Sequence, residues 1–568
     1  MKSTSKQYHS INCQKCGRVN SIALTHCQNC HSPLNRNKKT PTRSFTVNWS
    51  IVPLIGILAL AGILYLVWKT RSLPVQKATT TNSISTESEN TFKQEYTPLL
   101  ASGNSFSGYS TFRSPELRQA LKKLGIDWRY QLGMDEMHFS KQIEQLNQGK
   151  TDLAFSTLDE FLLQKVDGKV VGLIDRTMGG DAVILNTKKY PKLRSLQDLT
   201  QLVQQQRSQG KLLDIAFTGN SPSEYLALLL SAKFEEFQLS DFQIRRVEDA
   251  ADAWKLIQDP RQNVAVAVVW EPYVTQAQRQ GYTVVLSSGD AQGAIVDVII
   301  ASNRLIQSQP DKLSDFLAAY YRRVDADMRD ASRLKQQIAQ DGQLSAEDAI
   351  AVMQGIKFFT ATEAQSWLTD GTFEKRIDST AAILTLAGKM EQVPANPKNL
   401  FASQFITKAA NNTQTLIDLV RADNPTLANK LAGQEIALTP RKFDRNSLTS
   451  APNIGNLHVK GNVKFAYDSA TLTPEGKQTL DRLAAEMSDF NDRTVAVRVI
   501  GHTSRTGLAA LNQKLSQQRS QVVANYLKSR LKLQIVAEGK GFRQPLSGIS
   551  PQDPRNQRTE IRLVRVGT

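Results

Sequence analysis

The chain has 568 residues, too many for one ordinary domain at roughly 100–200 residues per domain. Hydrophobic residues are 40 % and charged residues 22 %, which supports packed cores and excludes a wholly disordered or collagen-like chain. Net charge is +17, but residues 1–48 carry eight Lys/Arg and no Asp/Glu, residues 455–568 carry eighteen against nine, and the middle is balanced, which excludes a uniform nucleic-acid coat.

The four cysteines, Cys13, Cys16, Cys27 and Cys30, form C-x2-C-x10-C-x2-C. Two such knuckles supply the four soft ligands of a tetrahedral Zn2+ site, with a short hairpin expected between them over Gly17 to His26. Two disulfides in an exported mini-domain are the alternative reading. The segment resembles the zinc ribbons at the N-termini of bacterial membrane proteins, so residues 1–48 are expected to be a zinc ribbon. His26 and His31 flank the knuckles as bystanders.

Trp49 to Trp68 contains no charged residue. Twenty residues at about 1.5 Å each cross about 30 Å, the hydrocarbon thickness, and Trp49, Tyr65 and Trp68 suit the two interfaces. A basic 48-residue leader is wrong for a cleavable signal peptide, so 49–68 is expected to be a transmembrane helix. Arg36, Lys38, Lys39 and Arg43 precede it; Lys69, Arg71 and Lys77 follow. That bias, with no cysteine after the span, puts the N-terminus in the cytoplasm and the bulk in the periplasm, on the inner membrane. Residues 69–96, rich in Ser, Thr and charge, read as a linker.

Over 97–390, apolar runs (Val170–Ile174, Ala182–Leu185, Val264–Trp270, Thr283–Leu286, Val296–Ala301) alternate with helical patterns at 115–124, 139–149, 222–235 and 311–325. This predicts an α/β domain with mainly parallel strands. Thr151-Asp152-Leu153-Ala154-Phe155-Ser156-Thr157-Leu158-Asp159-Glu160 and Val268-Val269-Trp270-Glu271-Pro272-Tyr273, with Gly180–Ile184 and Ser287 to Val298 in the same order, resemble nitrate/sulfonate/taurine-type solute-binding proteins. The resemblance implies a two-lobed periplasmic-binding-protein fold of the second topological type, with ligand between the lobes. The lobe crossings are expected near Leu185 and Leu286. Strand ends and helix N-termini, whose free N–H groups favour anions, make Ser105, Ser107, Tyr109, Ser156, Thr157, Thr218 and Ser221 candidate ligand contacts, and Trp270 could cover an apolar part. Ser221-Pro222-Ser223-Glu224 also reads as a simple capping box, and Trp270 as core.

Residues 391–454 read as a helical and linker region, helical over Gln404 to Leu431 and extended over Pro394–Lys398 and Pro440–Asn456. From 455 to 568 strands at Val463–Phe465, Thr494–Ile500, Ile535–Glu538 and Thr559–Val566 frame amphipathic helices at 475–489 and 508–530, an α+β unit. Phe465, Gly501-His502-Thr503, Gly507, Asn512, Leu515-Ser516, Arg519, Gly539, Gly541, Asn556, Arg558 and Glu560 carry a resemblance to the OmpA-like peptidoglycan-binding domain. It implies wall contacts at Ser504, Asn512, Arg519 and Arg558. Where the family has an Asp and an Arg to hold the two charges of diaminopimelate, this chain keeps Arg519 but has Ser504 for the Asp, and the family's N-R-R reads Asn556-Gln557-Arg558.

Beyond the span, histidine is limited to His138, His458 and His502, and no hydrolase, metalloprotease or P-loop motif is present, so no enzyme is expected. The span has no ionisable residue, which excludes a proton-driven stator. The expected protein is a membrane-anchored, extracytoplasmic solute-binding protein serving uptake of a small anionic or amphipathic solute with an ABC permease, tethered to peptidoglycan. The alternative is an envelope sensor or scaffold without transport. Nucleic acid is not an expected partner.

Overall fold

The structure is a computed structural model that describes residues 10–12, 19–21, 96–132, 139–434, 442–459 and 463–566. The chain divides into two compact units, Met1–Thr91 and Phe92–Thr568. In the first, β1 (Ser10–Asn12) pairs antiparallel with β2 (Val19–Ser21), Ser10 opposite Ser21 and Asn12 opposite Val19. The hairpin expected over Gly17 to His26 lies mostly outside the described residues. The cysteines themselves and the span Trp49–Trp68 lie outside the described residues. Among the described residues no helix is long and apolar enough to cross a membrane.

The second unit begins with two lobes. Lobe 1 takes β3 (Thr97–Gly103), β4 (Ile126–Leu132), β5 (Leu153–Thr157) and β6 (Gly168–Thr177). Lobe 2 takes β7 (Asp181–Leu185), β8 (Leu213–Thr218), β9 (Phe242–Val247), β10 (Val264–Trp270) and β11 (Thr283–Ser287). β12 (Val296–Ser302) and β13 (Ile356–Phe358) return to lobe 1. The orders are β13-β6-β12-β5-β3-β4 and β11-β7-β10-β8-β9. Setting aside the edge strand β13, both lobes read second strand, first, third, strand arriving from the other lobe, fourth. The continuous apolar runs of β5, β10 and β12 follow from burial on both faces, with helices above and below each sheet.

Two expectations are corrected here. The sheets are mixed rather than mainly parallel. β3 runs parallel to β4 and β5, and β8 to β9 and β10, but β12 is antiparallel to β5 and β6, and β7 to β10 and β11. A strand delivered from the other lobe enters at the cleft end, so it runs against strands that finish there. The first crossing lies at residues 178–180, not at Leu185, because β7 already belongs to lobe 2; the second occupies 288–295, just past Leu286. A helix also bridges the lobes: Thr372–Leu386 places Phe373 and Ile377 in the lobe 1 core and Ile383 and Leu384 with the lobe 2 core.

The region 391–454 is mostly part of lobe 1. Helix Thr407–Val420 lies on helix Pro310–Arg329, with Ala409 and Ala410 in the core and Thr413 Oγ1 donating to Asp325 at 2.7 Å. The stretch expected as a linker up to Asn456 instead contains helix Arg445–Ser450 and β14 (Asn453–Asn456). Buried Arg498 holds both, donating to Leu448 O at 2.9 Å, Ala451 O at 3.0 Å and Asn453 Oδ1 at 3.1 Å. β15 (Val495–Gly501), β16 (Ile535–Gly539) and β17 (Thr559–Arg565) complete a sheet in the order β14-β17-β15-β16. Helices Pro474–Met487 and Ala509–Lys528 bury Leu480, Leu483, Val523 and Leu527 against Val497, Val499, Ile561 and Leu563. The expected strand Val463–Phe465 is reduced, among the described residues, to one bridge between Phe465 and Leu472.

Candidate functional site

The seam between the lobes gathers carboxyl groups. β5 ends at Thr157, and β12 starts beside it with Asp297 opposite Thr157. Asp175 lies near the end of β6, Asp181 opens β7, and Asp159 sits in the first turn of helix Leu158–Leu162. All four aspartates are buried, and none forms an ion pair among the described residues. Tyr109 Oη donates to Asp297 Oδ1 at 2.5 Å. Only glycine at position 108 lets the turn Ser107–Tyr109 lie against the Asp175 carboxyl.

Burial disfavours the charged form, and every one of these groups shifts accordingly. Desolvation, reinforced by neighbouring acids, pushes Asp159 up to about 8 and Asp181 up to about 7. Desolvation likewise raises Asp175 and Asp297, with the neighbouring carboxyls of Asp181 and Asp175 adding to the shifts.

The residues expected to meet an anion divide into groups. Tyr109 and Thr157 meet at Asp297. Trp270, partly buried at the end of β10, lies opposite Asp181. Ser105 is exposed, and Ser107 opens the 3-10 turn whose Gly108 lies against Asp175. The helix N-termini are already filled by the chain's own carboxylates. Glu160 accepts from Ser156 Oγ at 2.7 Å and Thr157 N at 3.3 Å, and Glu224 accepts from Asn220 N at 2.7 Å. Glu271 accepts from Thr275 N at 3.0 Å. Ser221 spends its hydroxyl on Thr218 O at 2.8 Å and caps Ser223 N, so it is an N-cap, but Glu224 reaches Asn220 N rather than Ser221 N and the reciprocal bond of a capping box is not formed. These N–H groups are not offered to an anion. Sequence reasoning missed Asp159, Asp175, Asp181 and Asp297 as site residues. The available signal was an acid abutting a long apolar run, which is costly unless used.

A second polar site lies in the C-terminal domain. Gln557 Nε2 donates to buried Ser504 Oγ at 3.1 Å, while Gln557 Oε1 accepts from Arg519 Nη1 at 3.4 Å. Arg519 Nε also donates to Ser469 O at 2.9 Å, and its guanidinium stands 5.0 Å from the centre of the Phe465 ring. Ser504, Gln557 and Arg519 thus form one chain. Asn512 braces the loop below it, donating to Thr506 O at 2.7 Å. Arg558 is paired with Glu560 at 2.6 Å. Burial would raise Glu560, but His502, Arg558 and Arg562 hold its carboxylate down to about 2.

Residues 464–559 match the OmpA family. Outer membrane protein A of Shimwellia blattae is 42 % identical over 92 residues, which are 16 % of this chain and 38 % of that protein. That of Yersinia pseudotuberculosis is 29 % identical over 221 residues, 37 % of this chain and 62 % of that protein. The chain therefore spans less than two thirds of the length of these relatives. Helix Arg445–Ser450 and β14 lie outside the matched residues of the OmpA-like domain, whereas Ser504, Arg519 and Gln557 lie inside them. Among solved structures, the periplasmic aliphatic sulphonate binding protein SsuA from Escherichia coli superposes with a TM-score of 0.42 and 16 % identity over 54 % of this chain and 92 % of that one. A putative periplasmic sulfonate-binding protein from Methylobacillus flagellatus gives 0.44 and 15 % over 56 % and 96 %. The desulfurization enzyme DSZB gives 0.40 and 12 % over 56 % and 99 %.

Proposed function

We propose that this chain is a cell-envelope protein that captures a small basic solute between its two lobes and holds peptidoglycan through its OmpA-like domain. The observation carrying the solute class is the set of four buried aspartates at the seam, none of them ion-paired among the described residues. An ammonium group can take the place of their protons, whereas a sulfonate or nitrate would meet carboxyls and filled helix ends. This reverses the expected anion. No reaction is assigned to the site.

The rest of the proposal keeps the expected arrangement. Residues 49–68 anchor the chain in the inner membrane with the N-terminus in the cytoplasm, and an ABC permease is the candidate partner for uptake. The C-x2-C-x10-C-x2-C spacing of Cys13, Cys16, Cys27 and Cys30 supports one Zn2+ site. The zinc would supply structure only.

Two experiments test the reading. A bound amine should stabilise the full chain by about 2.7 kcal/mol at one hundred times Kd, seen as a raised Tm, and Asp297→Asn should remove the shift. No shift with any amine would leave the envelope scaffold as the better reading. At the wall, the full chain should sediment with peptidoglycan weakly, because Ser504 and Gln557 are neutral and Arg519 supplies the one charge of their chain. Ser504→Asp should tighten binding by about one to two decades, the worth of a charge-assisted bond, and Arg519→Ala should abolish it. Silence of Arg519→Ala would remove the wall from the proposal.

A further inference from the structure

The OmpA-like domain does not hang on a free tether; it is built onto lobe 2 and onto the second lobe crossing. Phe234 and Phe237 of lobe 2 share one apolar cluster with Ile454, Leu457, Leu480 and Phe490. Phe234 bridges antiparallel to Leu457, Glu235 N donates to Asn456 O at 3.0 Å, and His458 N donates to Lys233 O at 2.8 Å. A Cβ at Gly455 would stand 2.9 Å from the Leu196 side chain and 3.0 Å from the Phe234 ring, so lobe 2 side chains pack directly on the Gly455 backbone.

The crossing itself is held from the same side. Asn491 Nδ2 donates to Gly289 O at 2.9 Å, Asn491 N to Asp290 O at 2.9 Å, and Gln292 N to Asp489 O at 2.9 Å. Arg565 grips Asp290 with both terminal nitrogens, at 3.0 and 2.7 Å, and donates to Val285 O at 3.1 Å. One further contact reaches the bridging helix at its lobe 1 end. Arg376 Nη2 stands 3.1 Å from Asp489 Oδ1 and 3.4 Å from Gln292 O. Beneath it lies a cavity of about 270 Å³, lined by Leu229, Ala291, Ala294, Arg376, Ile383 and Phe490, so the bridging helix is not close-packed against the domain at this point.

We propose that lobe 2 and the OmpA-like domain move as one rigid body, with lobe 1 as the moving jaw and the Arg376–Asp489 pair as the latch that holds it shut. Opening must bend the 288–295 crossing, whose residues 289–292 are tied to the OmpA-like domain, and must withdraw Arg376 from Asp489. In the closed form Leu162 and Leu163 of lobe 1 pack on the lobe 2 cluster, and these separate when the jaw opens. Wall attachment and jaw opening are thereby linked through one loop, Asp489–Asn491, whatever the solute.

Hydrogen–deuterium exchange on the full chain tests this. Asp489→Asn keeps the backbone bond to Gln292 and removes the charge. It should speed exchange about tenfold in 288–295 and in helix Leu158–Leu162, far from the substitution. The swap Arg376→Asp with Asp489→Arg should restore the slow rates. Arg565→Gln, on the other side of the crossing, should loosen 288–295 in the same way. Faster exchange confined to residues 486–493, or no change in any of these variants, would overturn the latch.

Discussion

The protein should gain stability as pH falls from 8 toward 5. Asp181 rises from an ordinary 3.8 to about 7 because it is buried, with Glu271 adding to the shift. Between those values the folded state holds a proton that the unfolded state has released, so stability declines as pH rises through the window and levels off above it. At about 1.4 kcal/mol per unit, Asp181 alone contributes about 4 kcal/mol to that decline, as an order of magnitude. Asp159, raised to about 8, and the Asp175–Asp297 pair extend the trend to the alkaline side. Glu560 acts in the other direction. Held down to about 2, it favours the fold above its unfolded value of 4.5 and loses that effect below it. Its opposing effect begins only below about pH 4.5, outside the range from 5 to 8. Thermal melts across this range give the check: Tm should be higher at pH 5.5 than at 8.5, and Asp181→Asn should flatten the profile. A Tm that climbs with pH would mean that the aspartates are ionised and already paired.

Phe112→Ala should cost about 3–5 kcal/mol, the usual range for deleting a buried aromatic ring. Phe112 is 1 % exposed and stacks between Phe155, at 4.1 Å between ring centres, and Tyr320, at 4.4 Å. The effect should reach the seam, because Tyr109 leans on both Phe112 and Phe155 while its hydroxyl holds Asp297. Urea unfolding of the variant should show a lower midpoint at an unchanged slope. Phe112→Leu should recover part of the loss, since it refills much of the volume.

What the sequence revealed and what it hid follow from locality. Val264–Trp270 was readable to the residue because a strand buried on both faces is apolar throughout. The C-terminal pattern around Gly501, Asn512 and Arg519 was readable because its glycines and polar residues sit at fixed spacings within one domain. The crossing at 178–180 was hidden, since β6 and β7 are both apolar runs and nothing local says that they belong to different sheets. Strand direction was hidden for the same reason. Helix Thr407–Val420 read as having no role because its partner, Pro310–Arg329, is distant in the chain. The Arg558–Glu560 and Ser504–Gln557 contacts are pairings that no spacing announces. The aspartates at the seam looked like strand ends until four of them met.

The most direct test of the solute site is calorimetric titration of the full chain at pH 7 with small organic amines and, separately, small sulfonates. Each titration is run in two buffers of different ionisation enthalpy. The expected result is one amine bound per chain with net release of protons, weakened by Asp175→Asn and by Asp297→Asn. Binding of a sulfonate with no amine binding, or amine binding that releases no proton, would contradict it.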